Sequence, residues 1–122
     1  MTSLILFIVG GSLNAVQDTL ADHWEESIFK KWGWDKEFWH KASSWKRKYW
    51  LPSWIPDAWT DGWHIIKFLK LVCYGLAIVF YQPLIQIWIL PVWSTDFIII
   101  GMGRNLTMSL FYYKILRVKK EK

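Results

Sequence analysis

The sequence predicts an all-α fold: a small membrane helical bundle of about three transmembrane helices plus a Trp-rich amphipathic interfacial segment. Three observations lead there. Of 122 residues, 53% are apolar and 19% aromatic, more than a domain of this size can hide from water. The apolar residues gather in stretches long enough to cross hydrocarbon. Charge is distributed in blocks, with Asp18 and Asp22 but no Lys or Arg before residue 23, and five basic residues within 114–122.

Residues 3–22 form the first expected span, about 30 Å long as a helix. Gly11, Asn14, Asp18 and Asp22 recur at helical spacing on one face, which lipid rejects and a protein groove accepts. Gly10 and Gly11 would let a neighbouring helix come close. A signal peptide is the alternative, but the basic n-region and small-residue cleavage site are not clear here.

Residues 24–62 read as an interfacial loop, because indole rings settle at the membrane surface. With Trp63 included, this stretch holds nine of the eleven Trp. Asp35 can cap a surface helix near 35–50 whose one face is Phe38, Trp39, Ala42, Trp45 and Tyr49. Lys46, Arg47 and Lys48 alternate with aromatics where anionic lipid headgroups would lie; the plainer reading is a solvated patch that sets topology. Over 24–63 seven basic residues face six acidic ones, which speaks against nucleic acid as a partner.

Pro52 and Pro56 break the chain, and Thr60 and Asp61 supply cap chemistry for a second span at 63–82. Lys67 and Lys70 are expected to snorkel to the near interface. No charge occurs from Leu71 to Thr95, and Pro83 and Pro91 mark off a kinked or interfacial piece at 84–93. The third expected span, 96–116, has Gly101 and Gly103 for packing and Arg104 at a costly central depth. Asp18 or Asn14 of this chain, a carboxylate of another subunit, or a lipid phosphate would be its partner. The basic tail, 117–122, stays out of hydrocarbon. Three spans put the tail and the Trp-rich loop together on the cytoplasmic side.

Under that topology Asp18, His23, Asp61 and His64 lie at one membrane level. Two imidazoles with carboxylates are the donor set of a divalent metal site or of acid–base catalysis. Without HExxH, HxxxH or CxxC spacing, a structural hydrogen-bond network is the competing reading. Cys73, the only cysteine, allows no internal disulfide.

The run Asn14-Ala15-Val16-Gln17-Asp18-Thr19-Leu20 with His23, then Phe38-Trp39, Ser44-Trp45-Lys46-Arg47-Lys48-Tyr49 and Asp61-Gly62-Trp63-His64, resembles small uncharacterised bacterial membrane proteins. The resemblance covers 14–70. It implies that Asp18, His23, Trp45, Lys48, Tyr49, Asp61 and His64 matter together, and it brings no activity with it. Asp22 and His40 depart from its pattern, which has an aromatic residue and Asn there. The expected function is a structural or accessory subunit of a membrane assembly, with lipid and other subunits or further copies as partners. The expected location is a bacterial inner membrane. An Asp/His membrane-interface enzyme or metal-binding protein is the alternative.

Overall fold

A computed structural model describes residues 1–44, 59, 61–83 and 91–118. Every extended element among them is helical, in keeping with the expected class. Helix α1 runs Thr2–Asp22. Two of its hydroxyls are satisfied within the helix, Ser12 Oγ donating to the Ile8 carbonyl at 3.1 Å and Thr19 Oγ1 to the Ala15 carbonyl at 2.8 Å, as suits an apolar setting. It stops at His23, whose backbone turns to φ −130, ψ 30.

A 3-10 turn, Trp24–Glu26, leads into α2, Ile28–Lys31, capped by Ser27 Oγ accepting from the Lys30 amide. Gly33 then takes φ +74, a left-handed turn in which a side chain is strained. Asp35 caps α3, Lys36–Trp39, by accepting from the Glu37 amide at 2.9 Å. The surface helix expected near 35–50 does not continue through this point. His40 is extended at φ −89, ψ 134, and its Nδ1 accepts from the Ala42 amide at the start of α4, Lys41–Ser44. A side chain that takes up a helix's free amide favours a break at its own position. Residues 45–50, with Lys46, Arg47 and Lys48, lie outside the described residues, as do 84–90 and the tail beyond Val118.

Helix α5, Gly62–Val79, is shorter than the expected 63–82, ending in a turn at Phe80. Helix α6, Val92–Leu110, continues as a π turn over Phe111–Ile115. By length and apolarity α1 and α5 can cross a membrane. The expected third span is helical, and Asp96, Arg104 and Asn105 make it less apolar than those two.

The three long helices are arranged around α1. Gly10 lies against Tyr74 and Gln17 meets Lys70, so α5 runs antiparallel to α1. Gly103 lies near Leu4, Gly11 against Arg104 and Asn14 by Met108, so α6 runs parallel to α1. The backbones of α5 and α6 stand apart along their described lengths, and the two helices meet through side chains, Arg104 Nε donating to the Tyr74 hydroxyl. At the far end of α1 the chain closes on itself: the Ile28 amide donates to the Leu116 carbonyl at 2.9 Å and the Val118 amide to Glu26 at 2.7 Å. The described part of the Trp-rich segment and the chain's last described residues therefore share one end of the bundle. A hydrophobic core cluster sits there, built from Ala15, Leu20, Trp24, Phe29 and Leu116 with Trp34, Trp39 and Trp63 around it.

Candidate functional site

The polar face of α1 is partly covered by side chains of both neighbouring helices, with Asn14 and Asp18 half-buried and Asp22 exposed. Asn14 Nδ2 donates to Asp18 Oδ2 at 3.1 Å and approaches Met108 Sδ at 3.4 Å. Lys70 Nζ donates to Asn14 Oδ1 at 2.9 Å and to Gln17 Oε1 at 2.5 Å. Lys70 thus turns inward rather than snorkelling, because α1 offers it two amide oxygens. Lys67 instead rests 5.3 Å above the Trp63 ring, where an ammonium and an indole face attract. Replacing Lys70 with Met is expected to leave both amide oxygens without their donor and cost about 1–3 kcal/mol. Unfolding in detergent micelles by increasing SDS measures this, and wild-type behaviour would remove Lys70 from the core.

One turn further along α5, Tyr74 lies directly over Gly10. Its hydroxyl accepts from Arg104 Nε at 2.9 Å, and the guanidinium sits 5.7 Å from its ring. The backbone of Arg104 lies against Gly11. Three of the glycines expected to serve packing or assembly therefore face this chain's own helices: Gly10, Gly11 and, beside Leu4, Gly103. Gly101 has open space where its Cβ would be. Beyond Tyr74 a cleft of about 490 Å³ opens between α5 and α6, its floor including Phe7 of α1. Arg104 stands at one end, and near the other Tyr81 donates to Asp96 at 2.6 Å.

The four residues expected to act together at one level are separated in their bonding. Asp61, fully buried, caps α5 by accepting from the His64 amide at 2.9 Å, and its second oxygen lies 2.7 Å from His64 Nδ1. His23 meets the edge of Tyr112, with ring centroids 5.3 Å apart. Asp18 is engaged by Asn14. Among the described residues no three of His, Cys, Asp or Glu come together in a way that would hold a metal ion.

The Trp-rich end carries its own electrostatics. Glu25 bridges Lys30 and Lys36, and hydrogen bonds from the two ammonium groups hold its carboxyl down at about 2. His40 is held below the ordinary histidine range, first by burial and then by Lys36. A folded-state value below the unfolded one stabilises above the ordinary 4.5, and that contribution fades as pH falls from 4.5 towards 2. The Glu25 pair is exposed, so salt weakens it. A carbon-13 NMR titration is expected to give Glu25 a midpoint near 2. Replacing both Lys30 and Lys36 with Ala should raise that midpoint towards 4.5, and an unmoved midpoint would discount the bridge.

Sequence reasoning missed Lys70, Tyr74 and the Tyr81–Asp96 pair. A signal was present for two of them: Lys70 and Tyr74 stand four residues apart on one face of α5, the mark of a face turned from lipid. No protein-family model, curated protein or solved structure matches the chain.

Proposed function

We propose that the chain is a small integral membrane protein of a bacterial inner membrane that serves as an accessory or structural subunit of a membrane assembly. It crosses with α1, α5 and α6, and keeps its Trp-rich segment and carboxyl terminus on the cytoplasmic side. Support for the membrane comes from α5, which leaves Leu71, Leu76, Ile78 and Val79 exposed. On α6, Phe97, Met102 and Leu106 are uncovered in the same way. A soluble bundle of this size would hold such faces in its core, and here acyl chains are their natural cover.

The observation that carries the subunit reading is Arg104. An arginine at mid-depth in a bilayer costs about 2.5–3.5 kcal/mol on insertion scales and persists where a partner offsets that cost. Among the described residues no carboxylate lies within salt-bridge distance of it. The test is the mass of the particle purified in mild detergent. A defined assembly larger than the monomer is expected, and Arg104→Leu should reduce it to the bare chain. A wild-type monomer would end the subunit reading.

The Asp61–His64 pair favours a second reading, acid–base or metal chemistry at the membrane surface, since a buried carboxylate orients a partly exposed imidazole. Stoichiometric bound metal lost in His64→Ala would support it, and metal-free protein would leave the pair a helix cap.

A further inference from the structure

We infer that the seam between α5 and α6 docks one membrane helix of a different protein, bearing a carboxylate at the depth of Arg104. This rests on the subunit reading and names the chemistry of the partner. The seam is an apolar cleft with a cation at one end: Phe7, Ile78, Phe97 and Ile100 line it, Gly101 leaves its wall open, and Arg104 closes it. Arg104 gives its Nε to the Tyr74 hydroxyl and one terminal nitrogen to Asn105 at a long 3.4 Å. Both acceptors are neutral, and no anion of the described chain lies within 4 Å of the guanidinium, Asp18 acting on it only from farther off.

Three candidate sources of that anion differ in depth. Gly11, near the middle of α1, lies against Arg104, so the guanidinium belongs to the centre of the bundle. Lipid phosphates and carboxylates sit at headgroup level, half of a roughly 30 Å core away. A second copy inserts in the same orientation as the first. Its Asp18 and Asp96 then lie about 10–12 Å above or below Arg104, seven and eight residues off its level at about 1.5 Å each. Residues 71–95 carry no charge at all. A foreign helix is free to put a carboxylate at the required level.

Size defines how the helix sits. A helical segment about 10 Å across and as long as the Trp93-to-Arg104 wall is larger than the cleft. The partner's backbone therefore runs along the open mouth beside Gly101, and its side chains enter. The partner face that fits reads as a Glu or Asp followed, towards the Trp93 end, by large apolar residues at three- and four-residue spacing.

The probe is a Leu/Ala membrane peptide of about twenty residues with a central Glu, compared with matched central Gln and Lys peptides. Association with the fluorophore-labelled full chain is read by energy transfer in phosphatidylcholine vesicles. The Glu peptide is expected to bind about tenfold more tightly than the Gln peptide. Arg104→Gln should abolish that preference, and Arg104→Glu should transfer it to the Lys peptide. Gly101→Leu, which adds its side chain to open space, should weaken binding of the Glu peptide while circular dichroism stays that of wild type. Equal binding of Glu and Gln peptides, or a Glu preference that survives Arg104→Gln, overturns the inference. A native particle that proves to be a homo-oligomer, or to hold only lipid, also overturns it. If the native particle is larger than a monomer but peptides are not discriminated, the inference falls and the subunit reading stands.

Discussion

Replacing Gly10 with Leu is expected to destabilise the bundle by about 1–3 kcal/mol or more, the scale of overpacking in a filled core. The new side chain would occupy the space of the Tyr74 ring. That ring has little freedom to move aside. Its hydroxyl holds Arg104 Nε at 2.9 Å, the guanidinium approaches its face, and Phe7 stands 5.7 Å from it. Displacing Tyr74 therefore releases Arg104 as well, so one substitution on α1 loosens both neighbouring helices. SDS-driven unfolding in micelles measures the loss, and spin labels on α1 and α5 should report a wider separation. Gly75→Leu is the matched control, because its Cβ would meet nothing within 4 Å. Equal stability of the two variants would contradict the close approach of α1 and α5.

Asp61→Ala is the second large effect, with an expected cost of about 2–4 kcal/mol. Roughly 1 kcal/mol follows from losing a helix cap. About 1–3 kcal/mol more follows from leaving a partly buried imidazole without its acceptor. Asp61 is fully buried where α5 begins, and Trp39 lies against the neighbouring Gly62. Loss of the cap should therefore fray α5 and loosen the Trp-rich end together, lowering both the helical signal and the near-ultraviolet signal of Trp. Asp61→Asn keeps a capping oxygen and should cost less than half as much. If Ala and Asn behave alike, the contribution comes from the charge facing His64 and not from the cap.

Two features of the fold were legible because they depend on neighbours in sequence. The cap at Asp61 and the cap at Asp35 could be read from short polar side chains placed just before apolar runs. The polar face of α1 could be read from Asn14 and Asp18 at four-residue spacing. The break at His40 was not legible, since the helical pattern of aromatics continues through it and a single imidazole-to-amide bond decides the matter. Lys70 was misread for a related reason. Length and charge alone favour snorkelling, and only the position of Asn14 and Gln17 across the helix interface makes the inward rotamer better.

The candidate site divides in the same way. Arg104 could be singled out from sequence, because a charge amid apolar residues is conspicuous in any reading. Its surroundings could not. That Tyr74 would take its Nε, that Gly11 would receive its backbone, and that α5 and α6 would part beside it depend on how three helices rotate about their axes. The grouping of His23 with His64 illustrates the opposite case, where a shared level in the chain's topology did not become a shared ligand set.

The sequence by itself determined that the chain is helical and which face of the first span is polar; of the three spans it called for, α1 and α5 are long and apolar enough to cross a bilayer. These follow from period and composition, which act locally. Tertiary structure alone decided where that polar face finds its partners, which glycines are spent on internal contacts, and that an apolar cleft opens on an arginine. Those outcomes turn on helix rotation and separation, set by side chains far apart in the chain that meet only when the bundle closes.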